Sequence, residues 1–212
     1  MQTLSAEQRR FFEQAATTYR ADLAADTAAQ GYLTSRGLGG ALDTFRLGVV
    51  RRPLVGHEQY QGRLAIPYLT PAGVVNMRFR CLQPHDCKAV DCPKYLSADG
   101  AGTNLYNVLD LKKDSPFIVV CEGEIDAMSF SLAGIPAVGV PGVDAWQKHF
   151  ARCLEDFEVI YSAGDGDKAG SKFNSLLSRE VKARPLRFPR GMDANALYVK
   201  EGAGGLRRLI EG

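Results

Sequence analysis

The sequence is poor in the features that would take a chain out of the cytoplasm or into a membrane. Its 212 residues include five cysteines, three histidines and one tryptophan. An odd, small number of cysteines without a secretion signal argues for reduced thiols rather than a disulfide framework. The opening MQTLSAEQRRFF has no apolar signal core, and no uncharged apolar run approaches the roughly 18 residues of a membrane span. A cytoplasmic protein with no membrane contact is therefore expected. No G-x-S-x-G elbow is present, which argues against a serine or cysteine hydrolase, and no G-K-S or G-K-T loop for a fused helicase motor. There is no internal repeat or low-complexity tract, and a hydrophobic share of 45% is enough for a core.

Charge is nearly balanced, at +2, but unevenly spread. Residues 31–95 hold nine Lys/Arg against four acids, net +5, which leaves the rest of the chain at −3. A basic region beside an acidic one suits a polyanion held next to metal ions, and a solvated basic face fits the charge equally well.

The pattern along the chain changes once. Ser5 and Gln8 form a capping-box signature ahead of Phe12, Ala15, Ala16, Tyr19 and Leu23, which recur on one helical face. AAQGYLTSRG reads as a second helix closed at Gly37, and GALDTFRLG as a third. GRLAIPYL and GVVNMRFRCL, separated by Pro71-Ala72-Gly73, read as a β-hairpin. After LKKDSP, apolar strands alternate with helices: FIVVCEG, IDAMSFSLAG, IPAVGVP, DAWQKHFARCLED, EVIYSAG, AGSKFNSLLSREV, RPLRFP and DANALYVK onward. This predicts an α/β fold, a parallel sheet flanked by helices, preceded by a smaller α+β subdomain. The expected domains are 1–114 and 115–212.

Sites in open parallel sheets form beyond the carboxyl ends of the strands, and this chain places acids there. Glu122 follows the first strand of the second half, Asp165 and Asp167 follow the third, and Asp193 follows the fourth in RGMDAN. Asp126 opens the intervening helix. Converging carboxylates need cations, and hard oxygen donors suit two Mg²⁺ or Mn²⁺ ions. Paired ions of this kind clamp the attacking and leaving oxygens of a phosphoryl transfer. Glycines at 164, 166 and 170 allow close approach, and Lys168 is placed to touch a phosphate. Taken alone, D-G-D is also ordinary turn chemistry.

VVCEGEIDAMS together with GDGDKAG resembles the Toprim domain of DnaG-type primases, topoisomerases, recombination proteins and some nucleases. YLTSRGLGGALDTFRLGVV, GRLAIPYLTPAGVVNMRFR, PKYLSADG and NLYNV narrow the resemblance to the RNA polymerase core of bacterial and phage primases. That resemblance implies Glu122, Asp165 and Asp167 as catalytic and metal-binding acids, with Asp126 and Asp193 in support. It implies that Lys94 of PKYL contacts nucleotide or template, and that Arg36, Arg63, Arg78 and Arg80 belong to the basic part of the core. The partners it implies are a single-stranded DNA template, ribonucleoside triphosphates and a replicative helicase. Two departures stand out: DGAGTNLYNV has Ala101 and Asn107 where the family often places a lysine just before a GR-LYG stretch, and Asn195 replaces a second late carboxylate. The length leaves room neither for the N-terminal zinc-binding template reader of bacterial primases nor for their helicase-contacting domain, so a catalytic core alone is expected. The competing readings are a Toprim nuclease and a non-catalytic single-strand-binding module. A topoisomerase would need a further tyrosine-bearing domain.

CLQPHDCKAVDC offers Cys81, His85, Cys87 and Cys92 as possible zinc ligands. The C-x₃-H-x-C-x₄-C spacing lacks the paired C-x₂-C of structural zinc sites, so reduced loop cysteines are the favoured expectation. Cys121 and Cys153 read as packing residues, Trp146 as a helix anchor, and His57 and His149 have no partner evident in sequence.

Overall fold

A computed structural model describes residues 4–211. Two compact units divide the chain, Met1–Gly102 and Thr103–Gly212. The division precedes the expected boundary at 114/115 because residues 103–114 pack on the parallel sheet. Tyr106 forms a β-bridge with Gly139, Asn107 Nδ2 donates to the Ala137 carbonyl at 2.9 Å, and Asp110 Oδ2 accepts from Ala137 N at 3.1 Å.

In the first unit, α1 (Ala6–Ala24) opens with the expected capping box: Gln8 N donates to Ser5 Oγ at 3.1 Å and Ser5 N to Gln8 Oε1 at 2.8 Å. Asp26 caps α2 (Thr27–Ser35), accepting from Ala29 N, and Gly37 at φ 68° ends it. GALDTFRLG yields one 3₁₀ turn, Gly39–Ala41, in place of a third helix. Its paired glycines disfavour propagation, and Phe45 and Leu47 are fixed in the core beyond it. An antiparallel sheet follows in the order β1 (Gly48–Val49), β2 (Leu64–Thr70), β3 (Gly73–Arg80), β4 (Tyr95–Ser97). Phe12, Ala15, Ala16 and Tyr19 of α1 pack with Ala65, Met77 and Phe79 of this sheet. His57, unpartnered in sequence, is buried here, its Nδ1 2.8 Å from Tyr19 Oη.

The charge asymmetry is partly cancelled by folding. Arg46 pairs with Glu13, Arg51 with Asp26 and Arg52 with Asp22, all three acids lying on or beside the first two helices. The Arg51 guanidinium hydrogen-bonded to Asp26 holds its carboxyl below the usual carboxylate range. A carboxylate with a lowered native pKa contributes stability that is present above its unfolded pKa and lost as pH falls through the native one. Asp26→Ala is therefore expected to cost about 1–2 kcal/mol near neutral pH, from cap and ion pair together. In urea titrations the gap between variant and parent should narrow as pH falls below the ordinary aspartate pKa of about 3.9.

In the second unit the strands are all parallel, ordered β6-β5-β7-β8. The elements are β5 (Phe117–Cys121), α3 (Glu124–Leu132), β6 (Ala137–Gly139), β7 (Val159–Ala163), α4 (Lys168–Val181), β8 (Arg184–Pro185) and α5 (Ala194–Glu211), the last broken at Gly202. Ile118, Val120, Val138, Leu154, Phe173 and Leu177 form the core on one face. α3 covers the sheet from β5 to β6 and packs against α5. DAWQKHFARCLED folds as 3₁₀ turns over Lys148–Leu154 rather than as an α-helix, and no side chain caps its start at Gln147. Trp146 does anchor it, meeting Phe150 edge-on at 5.7 Å. No helix among the described residues is long and apolar enough to cross a membrane.

Candidate functional site

β5 and β7 are adjacent and in register, so their carboxyl ends deliver Glu122 and Asp165 to the same edge. Glu122 N donates to the Ala163 carbonyl at 3.2 Å, and Asp165 N donates to Glu122 Oε2 at 3.3 Å. The backbone of one acid thus orients the side chain of the other. Asp167 caps α4, accepting from Gly170 N at 2.9 Å through Oδ1, which sets its direction at the helix start. It is exposed, as is Lys168 beside it.

The glycines of the motif differ in purpose. A Cβ on Gly170 would stand 1.9 Å from the Asp165 carbonyl oxygen and 2.3 Å from its nitrogen. One on Gly164 would stand 2.4 Å from the Gly170 oxygen. The first turn of α4 is therefore seated directly against the end of β7. Asn174, four residues beyond Gly170, accepts from Gly164 N at 3.0 Å and fastens the same junction. Gly166, between the two acids, is open, with only Met192 O at 3.8 Å.

Asp126 and Asp193 meet the rim from α3 and α5. Asp126 Oδ1 accepts from Asn195 N at 3.0 Å, and Asp193 Oδ1 accepts from Ala196 N at 2.6 Å, capping α5. Asn195, which stands in place of a carboxylate, is buried, and its Nδ2 donates to Ser129 Oγ at 2.9 Å. It ties the start of α5 to α3.

Burial raises the Glu122 carboxyl above the usual range; the Asp165 N–H opposes this, and the charges of Asp165 and Asp167 add to it. Burial, with the Asp193 and Asp165 carboxylates, pushes Asp126 up to about 7. The rim is thus a set of hard oxygen donors whose mutual repulsion a cation would relieve.

The first unit gathers most of the expected basic residues around two tyrosines. Arg78 lies 4.7 Å and Arg80 5.1 Å from the Tyr95 ring centre, Arg80 also 5.4 Å and Arg36 5.7 Å from Tyr32. Arg80 Nη1 donates to Tyr95 Oη at 2.5 Å. Such guanidinium–ring stacking holds the cations in place. Lys94, exposed, immediately precedes Tyr95. Arg63 lies elsewhere: its Nη1 donates to the Pro93 carbonyl at 2.7 Å and its Nη2 to Cys92 Sγ at 3.5 Å.

The cysteine loop holds its thiols free, in keeping with the expected reduced loop cysteines. It folds so that one ligand atom each from Cys81, His85, Cys87 and Cys92 all lie within 4.8 Å of one another. Backbone bonds from Cys81 N to Lys94 O at 2.9 Å and from Cys92 N to Cys87 O at 2.8 Å bring the ends together.

A Toprim-like family model matches residues 119–198, the segment that carries the carboxylate rim. That segment carries the rim on a parallel sheet, an antiparallel, arginine-bearing unit precedes it in the chain, and the chain has the fold of the DnaG primase catalytic core with a Toprim-like segment. It belongs to the family of the Gene 57 protein of Mycobacterium phage D29, with which it is 35% identical over 157 residues, 71% of this chain and 99% of that protein. It is also 25% identical over 163 residues to the DNA primase of Thermotoga maritima, spanning 73% of this chain and 29% of that enzyme. Among solved structures, the zinc-binding and RNA polymerase domains of the Aquifex aeolicus primase superpose with a TM-score of 0.79 at 21% identity, over 99% of this chain and 62% of that one. A DnaG catalytic domain bound to single-stranded DNA gives 0.76 at 21% identity, over 98% and 80%.

Proposed function

We propose that the chain synthesises short RNA primers on single-stranded DNA. The observation that carries this reading is the in-register pairing of β5 with β7, which brings Glu122 and the Asp165-Gly-Asp167 turn to one edge. Glu122, Asp165 and Asp167 would hold two divalent ions, with Asp126 and Asp193 completing the rim. When bound, such ions acidify the primer 3′-hydroxyl and neutralise the incoming triphosphate.

The protein's own contribution is orientation. The Asp165 N–H fixes the Glu122 carboxylate, the cap fixes Asp167, and the Gly164–Gly170 contact fixes both against the sheet. Lys168 at the start of α4 binds a triphosphate oxygen. Lys94 and the arginines around Tyr32 and Tyr95 bind template phosphates, a mode that is salt-sensitive and weakly dependent on sequence. A replicative helicase is the proposed partner.

Incubation with single-stranded DNA, ribonucleoside triphosphates and Mg²⁺ or Mn²⁺ should yield short RNA. Cleaved DNA without RNA would assign the rim to hydrolysis instead. Lys94→Ala is expected to weaken single-stranded DNA binding several-fold and to lower the salt-dependence slope by about 1, measured by fluorescence anisotropy across a salt series.

A further inference from the structure

We propose that Cys81, His85, Cys87 and Cys92, in the loop joining β3 to β4, form a tetrahedral site for a thiophilic transition metal, zinc above all. The site is separate from the carboxylate rim, and its donors are of the opposite kind. Three sulfurs and an imidazole nitrogen select Zn²⁺ over Mg²⁺ or Mn²⁺.

Two of the six ligand–ligand edges have the lengths of the coordination polyhedron, and all four donor atoms lie within 4.8 Å of one another. With zinc–sulfur bonds of about 2.3 Å and zinc–nitrogen bonds of about 2.0–2.1 Å, a tetrahedron has sulfur–sulfur edges of about 3.8 Å and sulfur–nitrogen edges of about 3.6 Å. Cys81 Sγ and Cys92 Sγ are 3.8 Å apart, and Cys81 Sγ is 3.7 Å from His85 Nε2. A disulfide would bring two sulfurs to about 2.05 Å, and no pair among these is bonded.

The backbone gives the unusual spacing a reason. Asp86, between His85 and Cys87, accepts through its carbonyl from Ala89 N at 3.0 Å and Val90 N at 3.3 Å, and through Oδ1 from Lys88 N at 3.0 Å. That turn reverses the chain, so His85 and Cys87 approach one point although one residue separates them. Arg63 supplies the surroundings: its guanidinium donates to Cys92 Sγ and the adjoining Pro93 carbonyl. Binding releases the three thiol protons to solvent, and three thiolates outweigh a divalent ion by one negative charge, which Arg63 offsets. Cys81 follows Arg80, and Cys92 lies two residues before Lys94, so the ion would fix the chain on both sides of the basic–aromatic patch.

The test uses the full chain purified under reducing conditions. Elemental analysis is expected to find one zinc per chain, retained through gel filtration. Exchange into Co²⁺ should give the visible ligand-field bands of a tetrahedral centre and near-ultraviolet thiolate charge transfer. Cys87→Ser and Cys92→Ser should lose most of the metal, whereas Cys153→Ser, altering an exposed thiol in the other unit, should keep it. The cobalt spectrum of the unmodified chain decides the matter even if the loop variants fold poorly. Substoichiometric zinc with an octahedral or absent cobalt spectrum would overturn the proposal, as would a Cys81–Cys92 disulfide as the stable state under the same reducing conditions.

Discussion

Changing Asp165 and Asp167 together to alanine is expected to reduce ribonucleotide incorporation by about 10³-fold or more while leaving the fold intact. Charge stabilisation at a two-ion site is worth several kcal/mol, and each 1.36 kcal/mol is about tenfold in rate. The single variants separate chemistry from architecture, because Asp167 has two duties. Asp167→Ala removes the cap of α4, whose Gly170 N–H then loses its acceptor, at a cost of about 1 kcal/mol. Asp167→Asn keeps an oxygen for the cap and loses the charge. Both should be inactive in primer synthesis, but only the alanine variant should melt early. Equal melting temperatures for the two would show that the cap contributes nothing.

Gly170→Ala is the second large effect. A methyl placed 1.9 Å from the Asp165 carbonyl oxygen meets backbone, which has no rotamer with which to yield. Either the start of α4 or the Asp165 peptide must shift, by an amount comparable to the roughly 1 Å misplacement that costs a catalytic centre 10²-fold. A loss of at least about 10²-fold is expected, with destabilisation of about 1–3 kcal/mol from overpacking. Gly166→Ala, one residue from each acid but facing open space, should stay within about tenfold of the parent. Paired activity and thermal-melt measurements would check both, and a tolerant Gly170 would contradict the seating of α4 on β7.

That contrast marks where sequence reading stops. The hydrophobic rhythm after residue 115 was sufficient to predict a parallel sheet with acids at its carboxyl edge, because buried parallel strands and their helices leave strong periodic signals. The three glycines of GDGDKAG looked alike, however, since close approach of two backbones is a tertiary fact with no local pattern. Asn195 was visible only as a missing carboxylate, and its bond to Ser129 joins helices far apart in the chain. Asn174 carried no motif, Tyr32 opened YLTSRGLGGALDTFRLGVV with no role of its own, and Tyr95 was hidden inside PKYL behind its lysine. Residues 103–114 read as the end of the first half because their turns are irregular, yet Tyr106 and Asp110 bind them to the sheet that follows. In the cysteine loop, spacing argued against association. The reversal at Asp86 that overcomes the spacing depends on side-chain and carbonyl bonds that a ligand-spacing rule does not contain.

The central claim is that the acids at the ends of β5 and β7 serve nucleotide polymerisation on a single-stranded template. Its most direct test supplies defined single-stranded DNA, γ-labelled and α-labelled ribonucleoside triphosphates and Mg²⁺ or Mn²⁺, and sequences the products. Short RNA complementary to the template, retaining a 5′-triphosphate and absent when Asp165 and Asp167 are both alanine, is the predicted result. Cleaved template without RNA, or RNA that persists in the double variant, would contradict it.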